Sequence, residues 1–522
     1  MKLQNYICGD WVEGQGQGAA LTNPVNGEVL AYAGSEGVDL GAALAYARDQ
    51  GRSGLQALNY GERAQLLESM AQVLQENREK YYQIAYQNSG NTKVDAAIDV
   101  DGGIGTLKYY AVMGKTLGDA HFLCEPGTDR LAKDKAFQAL HILTPLTGVA
   151  IHINAFNFPS WGLWEKAAGS LLAGVPVFAK PATATSLLTQ TMIRDLVNAD
   201  ILPNGSLSII CGGGHDLMDY VQTGDVVLFT GSADTAQKLR THPRVIETGI
   251  RFNVEADSLN MALLAEDVTT DSPLFEAFVK EVAKEMTTKA GQKCTAIRRI
   301  LVPAASIDAV ADALTARLAK TVIGDPASDG VRMGPLVNRA QQQAAWEGID
   351  ILSREAEIIF GGDRQFAVQG GDVDSGCFVQ PTLLRCNKPM NAERIHDTEV
   401  FGPVATLMPY SDEASIWALA SFGGGSLAGS VFTNDEGFFA RAAVTLAAHH
   451  GRLLMVDETV MNGHTGHGIA MPQCVHGGPG RAGGGEELGG LRGLRIYHQR
   501  TAIQANISQL ENLRAATVDF SS

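Results

Sequence analysis

The sequence of 522 residues predicts an α/β fold of parallel sheets covered by helices. Two patterns carry that prediction. First, short apolar runs rich in β-branched residues alternate with helical stretches: GVAIHINAF (148–156), VPVFAK (175–180), GSLSIICGG (205–213) and VVLFTGS (226–232). Strand, helix, strand in repetition builds a parallel sheet buried on both faces. Second, AFQALHILTPL (136–146) and LRIYHQRTAIQ (494–504) alternate apolar and polar residues but belong to no repeating unit. They read either as ordinary edge strands or as an arm pairing away from its own domain.

In chain order, the first 35 residues read as short strands and turns, and 37–116 as helical. ERAQLLESMAQVLQENREKYYQIAYQNSG spaces apolar residues at three and four and stops at Ser-Gly. SWGLWEKAAGSLLAG, SLLTQTMIRDLVNAD and HDLMDYVQ supply helices between the strands. A second alternating section follows: SLNMALLAE, a helix over 273–290, AIRRILVP, a helix over 306–320, and further elements to about 470. The glycine-rich HGGPGRAGGGEELGG (476–490) reads as a loop packed closely on a neighbour, or as a linker. Its position just before a patterned strand favours the packed loop.

An apolar fraction of 45% and a charged fraction of 19% belong to a globular protein of about three domains, or two large ones. A net charge of −16 disfavours nucleic acid but leaves room for an anionic small ligand held by local cations. Seven widely spaced cysteines without C-x-x-C argue against a disulfide framework and a structural zinc site. No signal peptide or membrane span is evident, so a reducing cytoplasm is the expected location. His464 and His467 form H-x-x-H without a third ligand. They are expected to line a channel or satisfy carbonyls, and no metal is expected. The basic KLRTHPR (238–244) reads as a solvated helix end or a phosphate contact.

Four features carry chemistry. Cys294, in TTKAGQKCTAIRR, is either an inert small hydrophobe or a nucleophile. Lys289, Lys293, Arg298 and Arg299 crowd it and would favour thiolate, or form a solvated face. Glu255, in FNVEADSLN, would be a general base if burial raised its pKa towards neutrality; the alternative is a solvated turn glutamate. Asn157, in NAFNFPSWG, could donate to a developing oxyanion or simply cap a turn. Lys180 ends one strand and Gly231–Ser232 follow another. They could meet a ribose and a pyrophosphate, although no G-x-G-x-x-G is present.

The order NAFNFP, AKPATAT, FTGS, VEADSLN, GQKC, TEVFGP resembles the aldehyde dehydrogenase superfamily over nearly the whole chain. The resemblance implies a Rossmann-type cofactor domain (1–131 and 147–256), an α/β catalytic domain (257–475) and a small β oligomerisation arm (132–146 and 490–505). It implies that Cys294 is the thiol nucleophile, Glu255 the base and Asn157 half of the oxyanion hole. Lys180 would hold the adenosine ribose, Gly231 and Ser232 the pyrophosphate, Glu399 and Phe401 the nicotinamide ribose and ring. Attack by Cys294 would give a thiohemiacetal, then a thioester that Glu255-activated water hydrolyses. Members that acylate coenzyme A typically lack this glutamate, so hydrolysis is expected; a catalytically silent homologue is the other alternative. Many NAD-preferring members carry an acidic residue where this chain has Thr183, which implies NADP and a ribose-side role for Thr183. Ala236 replaces a common glycine. The glycine-rich loop, EADSLN and HTGHG narrow the similarity to dehydrogenases of bacterial phenylacetate and benzoate degradation that oxidise coenzyme A-linked semialdehydes. With 522 residues there is no room for a ring-opening hydratase-like domain, so oxidation without ring opening is expected, by a homodimer or a dimer of dimers.

Overall fold

The computed structural model describes residues 1–214 and 216–520. His215, at the head of the stretch HDLMDYVQ, lies outside the described residues with Ser521 and Ser522. Two seven-stranded sheets dominate. In the first, five strands run parallel in the order Arg251–Glu255, Val226–Thr230, Ala150–Ile153, Val177–Lys180, Leu207–Ile209. Gln4–Ile7 and Asp10–Glu13 extend it antiparallel. The chain leaves Ala150–Ile153 towards Val177–Lys180 and later returns to its other side, to Val226–Thr230. Loops diverge at such a switch point, and a crevice opens beyond the carboxyl ends of the strands.

The second sheet has the order Glu357–Phe360, Thr382–Arg385, Val404–Tyr410, Arg299–Pro303, Met261–Leu264, Ser426–Phe432, His450–Val456. Only Glu357–Phe360 is antiparallel. Five residues, 256–260, join the strand ending at Glu255 to the strand starting at Met261. The carboxyl ends of the first sheet therefore face the segments that enter the second.

Both solitary alternating stretches are strands, and they pair with each other. His498–Asn506 lies antiparallel to Phe137–Pro145 over nine residues. The strand begins at His498 rather than 494, because Gly490–Tyr497 is a 3₁₀ helix that buries Leu494 and Tyr497. Leu123–Cys124 and Val518–Asp519 complete this third sheet, with Asp129–Arg130 on its side. The expected helix at HDLMDYVQ is only a 3₁₀ turn, Leu217–Tyr220. The glycine-rich stretch is ordered: Val475–Gly477 and Glu486–Leu488 form a hairpin around a 3₁₀ turn, Gly480–Ala482. It is stitched to the strand of Glu255 by Ala256 N–H to Ala482 O (3.0 Å) and Gly485 N–H to Val254 O (3.1 Å).

The largest core lies among the helices Tyr60–Glu76, Lys93–Lys115 and Trp161–Ala173, with Trp164 fully buried. Helix Lys93–Lys115 starts with a capping box of Thr92 and Asp95, which satisfies its first amides. The second oxygen of Asp95 accepts from Lys289 N–H at 2.8 Å, so the same cap anchors the turn before Cys294. Helix Pro273–Thr287 ends three residues earlier than its apolar spacing suggests. Lys289 and Ala290 both take left-handed φ of 52°, and Gly291 follows at 69°. A Cβ on Gly291 would stand 2.2 Å from Gly402 O, so only glycine fits that crossing.

Candidate active site

The crevice between the two sheets is a cleft of ≈ 640 Å³. It is lined by all nine residues singled out in the sequence: Asn157, Lys180, Thr183, Gly231, Ser232, Glu255, Cys294, Glu399 and Phe401. Fold topology explains the convergence. Asn157 follows Ala150–Ile153, Lys180 ends its strand, Gly231 and Ser232 follow Val226–Thr230, and Glu255 ends its strand. Cys294 and Phe401 precede Arg299–Pro303 and Val404–Tyr410 of the second sheet. A narrower chamber of ≈ 40 Å³ opens on the other side, walled by Phe158, Trp161, Ala470 and His476. Asn157, Glu255 and Cys294 line both spaces. The sulfur thus stands at the junction of a large cleft and a narrow, largely apolar chamber.

Local bonds hold the Cys294 segment rigid. Asn260 Nδ2 donates to Cys294 O (2.8 Å) and Ala296 O (3.0 Å). Asp99 accepts from Trp161 N–H (2.8 Å) and Ser160 N–H (3.2 Å), pinning the helix entry just after Asn157. Asp99 is fully buried, and burial pushes its carboxyl up to about 6.

The expected activation of Cys294 by neighbouring cations is not what the structure shows. Lys293 is paired with Glu285 at 2.7 Å, and Lys289 stands over the Phe158 ring at 4.8 Å. Arg298 donates to Gly402 O (2.5 Å) and Gly291 O (2.8 Å), and Arg299 to Leu419 O (2.6 Å) and Leu259 O (3.0 Å). All four are buried, so the solvated-face reading does not hold; Arg298 still interacts electrostatically with Cys294. Burial, then the charge and hydrogen bond of Glu255, push the Cys294 thiol well above its ordinary value.

Glu255 corrects a second expectation. It is buried, and burial alone would raise its pKa. The His476 imidazole at 3.2 Å from its carboxylate, Lys166 and the Cys294 thiol outweigh burial and hold Glu255 below the usual carboxylate range. It is an ionised carboxylate in contact with the Cys294 thiol. Behind it, Lys166 Nζ sits between Glu165 (2.8 Å) and Glu487 (3.0 Å), and Asn253 Nδ2 donates to Glu487 (3.1 Å).

In the large cleft, burial holds Lys180 below its ordinary value. Thr183 opens a 3₁₀ turn beyond the same strand. Ser232 caps helix Ala233–Arg240, but Ala233 N–H is occupied by Asp257 Oδ1 at 3.0 Å, so one first-turn amide already has an anion. Ala236 is buried against Phe229 and Val254. Burial pushes Glu399 up to about 7, opposed by Arg298 at 3.9 Å. Phe401 meets Phe156 edge-on at 5.6 Å. The cleft presents buried polar atoms without partners: Thr230 Oγ1, Glu399 Oε1 and Arg481 Nε. Volume, cation and unpartnered polar atoms fit a dinucleotide laid along the cleft.

Four groups here were missed or left without a role in the sequence: His476, Lys166, Glu487 and Arg481. Their only signal was the glycine-rich run, which holds His476, Arg481 and Glu487. Glu486 is exposed, whereas Glu487 is buried and Arg481 lines the cleft. His467 is buried with neither ring nitrogen hydrogen-bonded, so it does not serve carbonyls. In the basic run, Arg240 donates to Gly483 O (3.0 Å), and none of its residues lines the cleft.

Comparison with known proteins agrees with this geometry. The profile of the aldehyde dehydrogenase family matches residues 11–503. The chain is 54% identical to 3,4-dehydroadipyl-CoA semialdehyde dehydrogenase of Aromatoleum evansii, over 92% of this chain and 93% of that one. It is 25% identical to the NADP(+) succinate-semialdehyde dehydrogenase GabD of Escherichia coli, over 80% and 83% of the two chains. A variant of betaine aldehyde dehydrogenase from Staphylococcus aureus, solved with NAD+, superposes with a TM-score of 0.84 at 24% identity, covering 96% of each chain. The chain belongs to the aldehyde dehydrogenase family.

Proposed function

We propose that the protein oxidises an aliphatic, coenzyme A-linked semialdehyde to its carboxylic acid with NADP, within bacterial breakdown of aromatic compounds. The observation that carries this reading is the position of Cys294 at the junction of the two chambers, with Glu255 and Asn157 beside it. The aldehyde enters the narrow chamber, whose Phe158 and Trp161 walls suit an extended acyl chain. The 54% identity to a dehydrogenase named for a coenzyme A semialdehyde supports the same class of substrate.

Glu255 takes the Cys294 proton and the sulfur attacks the carbonyl carbon. Asn157 Nδ2 and the Cys294 N–H donate to the oxyanion. The bound nicotinamide supplies the electron acceptor for oxidation of the adduct. Once the thiol proton has passed to solvent, the carboxylate of Glu255 takes a proton from water, whose oxygen attacks the thioester carbon; the C–S bond breaks, and the acid leaves with Cys294 as thiolate. Lys180, Thr183, Gly231, Ser232, Glu399 and Phe401 bind the nucleotide along the large cleft. Thr183 places a hydroxyl where a carboxylate would repel a 2′-phosphate, which favours NADP. The division into cofactor domain, catalytic domain and arm, and the use of the arm in subunit pairing, belong to the same proposal. Glu255 stands against the coenzyme A-acylating reading, and its company with Cys294 and Asn157 against a silent homologue.

Six- and eight-carbon semialdehydes, free and as coenzyme A thioesters, should be screened with NADP and with NAD. Acid formation with higher kcat/KM for the thioesters and for NADP is expected. Acyl-coenzyme A as product, preference for NAD, or no turnover would each contradict the corresponding part.

A further inference from the structure

The four cations next to Cys294 in sequence are engaged elsewhere, yet the thiol lies against a buried carboxylate that opposes its ionisation. Beyond Arg298 and Arg452, whose charges also interact with Cys294, His476 can carry positive charge within the cluster itself. His476 is buried, lines the narrow chamber, and places Nε2 3.2 Å from Glu255 Oε2. The Cys294 sulfur, a Glu255 carboxylate oxygen and a His476 ring nitrogen all lie within 4.8 Å of one another. The histidine stands on the strand Val475–Gly477, at the foot of the glycine-rich loop, 182 residues from Cys294 (476 minus 294). Its Nδ1 is buried and bonded to no protein group.

We propose that His476 is a third member of the nucleophile's machinery: as an imidazolium it fixes Glu255 against Cys294 and offsets the carboxylate, so that thiolate forms in the free enzyme. It rests on the reading of Cys294 as the nucleophile. A carboxylate and a cysteine sulfur on one side favour the charged imidazole. From the helix Trp161–Ala173, Glu165 reinforces that charge and Lys166 lies beside it, paired with Glu165 and Glu487. Glu487 is the cross-strand partner of His476 in the hairpin, and Arg452, from the strand His450–Val456, opposes the charge. The balance runs towards the cation: burial lowers the His476 pKa, but Glu255 and Glu165 raise it above its ordinary value. Protons are conserved in the scheme. The thiol proton passes through Glu255 to solvent, and the imidazolium keeps its own while facing the carboxylate and the new thiolate.

The test is alkylation of Cys294 by iodoacetamide against pH, followed by mass spectrometry of its peptide, without aldehyde or nucleotide. H476F removes both charge and hydrogen bond, whereas H476Q keeps a donor and loses the charge. Both should move the alkylation midpoint up by about one pH unit or more and slow alkylation at neutral pH about tenfold. H476Q should unfold at the wild-type temperature, which separates this effect from misfolding. H476Q that titrates like the wild type overturns the proposal, even if H476F fails to fold. A wild type that alkylates normally but oxidises no aldehyde would overturn the proposed function instead, leaving this inference standing.

Discussion

At the scale of the residue, the site is a contest between burial and pairing. Burial pushes Cys294 towards thiol and would push Glu255 towards acid, but Glu255 is held ionised by His476 and Lys166. Glu255, whose pKa is depressed, stays ionised throughout the neutral range and loses its proton-accepting form only in acid. Cys294, whose pKa is raised, gains its reactive form as pH rises. The acylation step should therefore increase from neutral into alkaline pH, with no acid limb near neutrality; a bell centred below neutral would contradict this. Asn157→Ala should lower kcat about 10²–10³-fold, the usual cost of one oxyanion donor. An unchanged kcat would remove Asn157 from the chemistry. Local pattern placed Cys294, Glu255 and Asn157 at strand ends or turns, and only the resemblance in motif order singled them out as a catalytic set. His476, Lys166 and Glu487 were not legible, because pairing across hundreds of residues has no local pattern. The same reason inverted two expectations: Lys293 meets Glu285, not Cys294, and Glu255 meets His476, not apolar walls alone.

At the scale of the element, strand ends and helix caps do the positioning. The carboxyl end of Val177–Lys180 presents Lys180 and then Thr183 to the cleft. Thr183→Glu would restore an anion there. It should lower kcat/KM for NADP at least about tenfold relative to NAD; an unchanged ratio would place cofactor choice elsewhere. The left-handed run 289–291 before Cys294 is held by Asp95 and by the close crossing at Gly402. Gly291→Ala combines an unfavourable φ with a clash against backbone. It should destabilise the protein by about 1–3 kcal/mol and slow Cys294 alkylation, and a thermal melt matching the wild type would show that the crossing can relax. Strand and helix repetition made these elements readable. The early end of Pro273–Thr287 and the 3₁₀ helix Gly490–Tyr497 were not, since tertiary packing of Leu494 and Tyr497 sets the second boundary and the Gly291 crossing the first.

At the scale of the molecule, the strand His498–Asn506 is an edge, paired with a strand on one side only and with most of its side chains exposed. Exposed edges of this length invite pairing with another chain. Light scattering should give a mass of two or four times 55.4 kDa, and a monomer at working concentrations would remove the arm's proposed role. No helix among the described residues is long and apolar enough to cross a membrane. The two sheets meet through the short segment 256–260, so the cleft exists only in the whole molecule, and its chemistry depends on both faces. The most direct measurement of that chemistry is mass spectrometry of Glu255→Gln after mixing with semialdehyde and NADP. The mechanism predicts NADPH limited to one equivalent, formed more slowly than in the wild type because Glu255 also takes the thiol proton, and an acyl group retained on the Cys294 peptide, with turnover lost. An unmodified Cys294, or acylation of another cysteine, would contradict it.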